Sequence, residues 1–225
     1  MSKLTVASYL MGIPPGNTNP EKPQIIVNFI EGVWKSGDTG SIVCDYKPID
    51  ADVAVIQGFV HPNSKNALHL NLRKEVTEHQ QRRNKRTIIV DSNLFLYADP
   101  GNTRKYLRFS YDGIFPNTGE YCNDTPDPAR WAKISRELHM KLKPRLVHQG
   151  GHILICCQRD GGWSMGNEAL LPWLIKTITE IKKYSDRRIF VRFHPGDKKI
   201  LDHKRALARY RLNNVLVSNT SNILM

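Results

Sequence analysis

The 225-residue sequence has little cysteine: Cys44, Cys122, Cys156 and Cys157, none of them in a C-x-x-C pair. Cys156 and Cys157 adjoin within an apolar run, which suits buried thiols in a reducing compartment better than a disulfide framework or a zinc site. No apolar run approaches the ~20 residues that span a bilayer, so no membrane partner is expected. The N-terminus, MSKLTVASYL, carries one lysine and a short apolar stretch broken by Ser8, with no clear cleavage site. A secretory leader is therefore not expected, and the cytoplasm is the expected location. Acidic residues are also scarce, 21 against 33 Lys and Arg, for a net charge of +12. With 40% hydrophobic residues and a mean hydropathy of −0.44, the chain has the composition of a globular protein of one or two domains.

The positive charge is uneven. Residues 1–145 hold 20 basic and 15 acidic residues, whereas residues 146–225 hold 13 and 6. Such an excess favours a polyanionic partner, whether nucleic acid, a phosphorylated ligand or an anionic surface, and by itself does not choose among them.

There are no repeats and no low-complexity tract. What recurs is a short β-branched run followed by an amphipathic stretch. The expected strands are Leu4–Leu10, Ser41–Cys44, Val53–Gln57, Thr87–Val90, Ile153–Cys157, Ile189–Phe193 and Val215–Val217. They are near-continuous apolar runs, as in strands covered on both faces. Between them Leu68, Leu72 and Val76 form one helical stripe, Trp131, Ile134 and Leu138 a second, and Leu171, Leu174, Ile175, Ile178 and Ile181 a third. Strands alternating with helices predict an α/β fold with parallel sheets and right-handed crossovers. The segment Lys141–Gly151, with one proline and paired glycines, is the expected linker. It divides the chain into Rossmann-like domains at 1–145 and 146–225. The second is short or incomplete, because only SNTSNILM follows its last strand.

Two stretches carry the chemistry. Ile153–Cys157 runs into Gln158-Arg159-Asp160-Gly161-Gly162-Trp163-Ser164, a polar loop before a helix. In a parallel sheet this loop lies at the carboxyl edge, where ligands bind. Its glycines let backbone amides approach a phosphate, the helix N-terminus adds positive potential, and Arg159 can grip an anion with two parallel hydrogen bonds. Trp163 could stack on a base, or simply anchor an ordinary turn. One unit later, Ile189–Phe193 runs into His194-Pro195-Gly196-Asp197-Lys198-Lys199 and a basic helix. Together the two tips suit a sugar nucleotide or another diphosphate. Asp197 would serve equally as a helix N-cap.

The segments GFVHPNSKN (58–66), VDSNLFLYA (90–98), YDGIFPNTG (111–119), QRDGGWSM (158–165) and YSDRRIFVRFHPGDKK (184–199) resemble bacteriophage glycosyltransferase-like proteins of the GT-B type. Among these are the enzymes that glycosylate hydroxymethylated cytosine in phage DNA. The resemblance implies two Rossmann-like domains, a UDP-sugar or similar nucleotide-sugar as co-substrate, no required cofactor, and double-stranded DNA as partner, in the host cytoplasm. It implies that Arg159, Asp160, Gly161, Gly162, Trp163, Ser164, Arg192, His194 and Gly196 line the donor site. The later glycine- and glutamate-bearing segment that holds the ribose in such domains has no match after Asn219.

An inverting transfer needs a carboxylate to take the acceptor proton. Asp91, ending the strand Thr87–Val90, is the first candidate, as the T-even DNA glucosyltransferases are similar in having an acidic residue at such a place. Asp38 and Glu31 follow, and a cap or turn role is open for each. Asp50-Ala51-Asp52 is a D-x-D, but it precedes a strand, so a turn is expected there and no metal site. For nucleic acid, the run Arg82, Arg83, Lys85 and Arg86 and the set Arg104, Lys105 and Arg108, beside Tyr106 and Phe109, supply cations with neighbouring aromatics. A solvated helix end is the alternative for the first run. A glycan or protein acceptor, and a non-catalytic DNA- or nucleotide-binding relative, are the competing functions.

Overall fold

The structure, a computed structural model, describes residues 3–16, 21–58, 66–93, 106–115, 118–144, 151–162, 165 and 168–218. The chain falls into two compact units, Met1–Leu142 and Lys143–Met225.

The first unit is a five-stranded sheet in the order β2-β1-β3-β4-β5. Its strands are β1 (Thr5–Tyr9), β2 (Thr39–Val43), β3 (Val53–Gln57), β4 (Arg86–Asn93) and β5 (Leu107–Tyr111). The first four are mutually parallel, and β5 runs antiparallel to β4. Helices α1 (Glu21–Lys35) and α2 (Leu68–Arg82) cover opposite faces. Ile25 and Ile30 of α1 pack on Val6, Val55 and Val90. Leu72 and Val76 of α2 pack on Ala7, Ala54, Ile56 and Ile89. Successive strand residues alternate between these two layers, as the pleat requires. A third helix, α3 (Pro128–Glu137), starts where Asp127 accepts the amide of Ala129 at 2.9 Å, with proline in its first turn.

The second unit is a three-stranded parallel sheet of β6 (Ile153–Cys156), β7 (Ile189–Arg192) and β8 (Val215–Val217), in that order. Helices α4 (Leu170–Lys182) and α5 (Ile200–Arg209) make its crossovers. Leu170, Leu174 and Ile178 of α4 and Leu207 of α5 close over Ile155, Ile189 and Val191. On the other face Leu154 and Leu216 are exposed.

The architecture is α/β and Rossmann-like, with two separate parallel-dominated sheets. Two elements depart from the expected alternation. Helix α1 lies in a stretch with no expected element, and β5 reverses an otherwise parallel sheet. As a strand β5 alternates: Leu107 packs with the α1 layer, while Ser110 is buried and its hydroxyl donates to the Gly113 carbonyl. That is the two-residue period of an edge strand. Among the described residues no helix is long and apolar enough to cross a membrane.

One glycine at the carboxyl end of the first sheet is sterically required. Gly58 has φ +81°, and a Cβ there would sit 2.6–2.9 Å from the guanidinium of Arg73, whose Nε donates to the Gly12 carbonyl at 2.8 Å. Arg73 thereby fastens α2 to the turn after β1, with its guanidinium lying close to Gly58 after β3. Gly58→Ala meets both the left-handed backbone and the guanidinium, and is expected to lower stability by about 1–3 kcal/mol in urea unfolding. A loss within error of zero would show that Arg73 simply moves aside.

Candidate functional site

The carboxyl edge of the second unit brings the two singled-out tips together. Cys156 is in register with Arg192, and the Cys157 amide still donates to the Arg192 carbonyl at 2.8 Å. The chain then turns. Gly161 takes φ +65°, and the Gly162 amide returns to the Arg159 carbonyl at 2.8 Å, where a Cβ on Gly162 would stand 2.8 Å from that oxygen. Beyond β7, the Gly196 amide donates to Nδ1 of His194 at 2.9 Å. With Nδ1 accepting, the ring proton of a neutral His194 sits on Nε2, which becomes a donor. A Cβ on Gly196 would lie 3.7 Å from Cδ of Arg159, so the arginine stem of one tip rests against the glycine of the other.

Carboxylates lock the tips. The Asp160 amide donates to Oδ2 of Asp197 at 3.1 Å. Asp160 Oδ1 accepts the amide of Leu170, which opens α4, at 3.0 Å, and Oδ2 accepts Nζ of Lys199 at 2.8 Å. Asp197 Oδ1 accepts the Lys199 amide at 2.8 Å. His203, on the buried side of α5, places Nε2 3.6 Å from Asp197 and 3.9 Å from Asp160, with its ring stacked on Phe193. The Leu170 amide, and then Lys199, hold the Asp160 carboxyl below its ordinary value, and Asp160 in turn raises Lys199. Asp160 is therefore a brace between the loops, with both its oxygens engaged inside the protein. Burial pushes the Cys157 thiol up to about 12, which removes it as a nucleophile at neutral pH.

Arg159 and Gly161 are exposed, and Arg192, His194 and Gly162 are partly so. Arg192 shares a face with Leu154 and Phe190, opposite the helices, because the alternate residues Ile155, Val191 and Phe193 lie in the buried layer. Trp163 and Ser164 lie outside the described residues. Lys199, the last residue of the second stretch, and His203, which no motif marks, belong to the constellation. The spacing Ile200, His203, Leu207 is the only sequence signal, and it sets His203 on the inner stripe of α5.

In the first unit the three candidate carboxylates are not brought together. Asp91 lies in the carboxyl half of β4, which continues to Asn93, and is ion-paired through Oδ2 with Arg108 of β5. Asp38 is at the opposite, amino edge, accepting from the Leu4 amide at 3.0 Å and Ser36 at 3.1 Å. Glu31 is exposed on α1. Arg73, pushed down by burial to about 10 and so still charged at neutral pH, adds a second guanidinium in the electrostatic neighbourhood of Asp91. Asp50-Ala51-Asp52 lies in the irregular connection between β2 and β3. Asp52 accepts from Thr5 and from Lys85 at 2.8 Å, and Asp50 meets His79 at 2.9 Å and Arg83 at 3.4 Å. Among the described residues no histidine, cysteine and carboxylate group of three is placed to hold a metal ion.

The basic run is largely neutralised. Arg82 lies 4.0 Å from Glu78, and Arg83 and Lys85 face the aspartates just named. Arg86 reaches Asp112, and Glu120 at 2.5 Å, while stacking over Tyr111. Arg108 is paired with Asp91, and Arg104 and Lys105 lie outside the described residues. An open hollow of about 510 Å³ between α1 and β5 is lined by Ile25, Phe29, Val33, Leu107 and Phe109, of which the sequence singles out Phe109 alone.

The brace has a pH signature with a definite sign. The stability Asp160 contributes is complete above the ordinary carboxylate range and falls away as acid passes through its depressed value, below about pH 4. The raised Lys199 contributes fully below about pH 10.4 and loses its part as pH rises beyond that. Asp160→Ala, which removes the acceptor for Leu170 and Lys199, is expected to cost about 1–2 kcal/mol at pH 7 by urea unfolding and to flatten the acid limb. An unchanged acid limb would show that Asp160 is not the titrating brace.

No family model, no curated protein and no solved structure matches this chain.

Proposed function

We propose that this chain is a nucleotide-sugar-dependent glycosyltransferase of the GT-B type, with hydroxymethylated cytosine in DNA as acceptor. The observation that supports it is the contact between the tips: Arg159 on one rests against Gly196 of the other, with His194 and Arg192 on the same strand end. A departing nucleoside diphosphate requires that concentration of donors, since charge grows on its oxygens as the sugar bond breaks. Arg159 and Arg192 neutralise the diphosphate, His194 donates through Nε2, and the backbone around Gly161 and Gly162 admits close approach. No metal enters the scheme. Asp91 takes the acceptor proton at Oδ1, its Oδ2 being engaged by Arg108.

The test is incubation with a panel of UDP-sugars and hydroxymethylcytosine DNA, followed by mass analysis of the released bases. A gain of one sugar residue on the base is the expected result, with Arg159→Ala and Arg192→Ala each lowering kcat/KM by about 100-fold or more. Absence of product with every donor and acceptor overturns the reading. The arginine on Asp91 also favours a second reading, a non-catalytic nucleotide-binding relative. UDP-dependent melting shifts without product would select it.

A further inference from the structure

The amino edge of the second unit has the opposite electrostatic character to the neutralised run in the first. Both crossover helices run antiparallel to their strands, so α4 and α5 end there, and both following loops lie there. The Ile153 amide donates to the Arg188 carbonyl at 2.8 Å, and the Ile189 amide to the Asn214 carbonyl at 2.8 Å. Nζ of Lys182 bonds the Asn213 carbonyl, joining the end of α4 to the loop before β8. Residues 182–188 and 209–214 together contain six basic residues, Lys182, Lys183, Arg187, Arg188, Arg209 and Arg211, against one acidic residue, Asp186.

Arg187, Arg188, Arg209 and Arg211 are exposed. Among the described residues none of the four has a carboxylate within 4.0 Å, in contrast to Arg82, Arg83, Lys85 and Arg86. Helix dipoles account for basic residues in a last turn, such as Lys182 and Arg209. They do not account for Arg187, Arg188 and Arg211, which lie beyond the helices. The same edge carries Tyr184, 82% exposed, at the end of α4 and Tyr210, 51% exposed, at the end of α5.

From this juxtaposition we infer that the amino edge of the second unit is a binding surface for single-stranded nucleic acid. Uncompensated guanidinium groups suit a phosphate backbone, and exposed tyrosine rings among them suit the faces of unpaired bases. Within residues 182–188 and 209–214 the exposed large hydrophobic side chains are the two tyrosines, and no leucine, phenylalanine or tryptophan. The exposed Leu154 and Leu216 lie on the face of the sheet, away from the arginines of the loops. The inference is independent of any sugar-transfer chemistry at the carboxyl edge.

The test is fluorescence anisotropy of the full chain with a labelled oligothymidylate across a salt series. The expected result is binding that weakens with salt. In the variant R187Q/R188Q/R209Q/R211Q the logarithmic salt slope shrinks by about 0.7 for each phosphate that is no longer neutralised. Tyr184→Ala and Tyr210→Ala are each expected to weaken binding about fivefold or more without changing that slope. All these side chains are exposed, so thermal melting should stay at the parent value. The control R82Q/R83Q should bind like the parent. Three outcomes overturn the inference: no binding to the oligonucleotide, equal weakening by the control, or affinity for phosphatidylserine vesicles or heparin that matches the oligonucleotide and ignores the tyrosines.

Discussion

The second unit depends on two carboxylates turned inward. A parallel sheet delivers its strand ends to one edge, but it does not fix how the loops beyond them lie. Here Asp197 accepts the backbone of Asp160, and Asp160 accepts both the start of α4 and the Lys199 ammonium. Each loop is thus held by the other and by the helix that follows it. The charges of Asp160, Asp197 and Lys199 are engaged with one another, while Arg159 stays exposed and His194 keeps Nε2 outside its bond to Gly196.

Charge compensation distinguishes the two halves more than composition does. The first unit has a conspicuous basic run, yet aspartates and glutamates from the β2–β3 connection, from α2 and from the chain after β5 face it. The second has fewer carboxylates to offer. Its aspartates at the carboxyl edge are tied to Lys199 and approach His203, so the arginines at the other edge keep their full field. Net charge per domain is visible in a sequence; which cations stay uncompensated is a property of the fold.

Much of the scaffold is legible from the residues. The continuous apolar runs locate β3 and β8 to the residue and β6 and β7 to within one position, although of these only β3 is covered on both faces. The second sheet leaves Leu154 and Leu216 exposed on the face away from its helices. Two elements are harder to see. In α1, Pro23 and Gly32 punctuate an otherwise periodic Ile26, Ile30 and Val33, although proline is harmless in a first turn. In β5, Leu107-Arg108-Phe109-Ser110 alternates like an edge strand while looking like basic residues set among aromatics. At the candidate site the glycines and arginines of the tips are evident from motif and position. The brace is not, because Asp160 looks like a surface loop residue until Lys199 and His203 arrive from α5, some forty residues later. Such long-range carboxylate partners leave no local trace.

The neighbouring thiols at the end of β6 illustrate how a pleat governs covalent chemistry. Cys156 is exposed, and Cys157 is buried under the helices. An extended backbone throws successive side chains to opposite sides of the sheet, so these sulfurs cannot reach each other while the strand stays paired with β7. At this strand end oxidants and alkylating reagents would therefore meet one of the two sulfurs, that of Cys156, and a ring closed between the adjacent cysteines would first require the strand end to peel away.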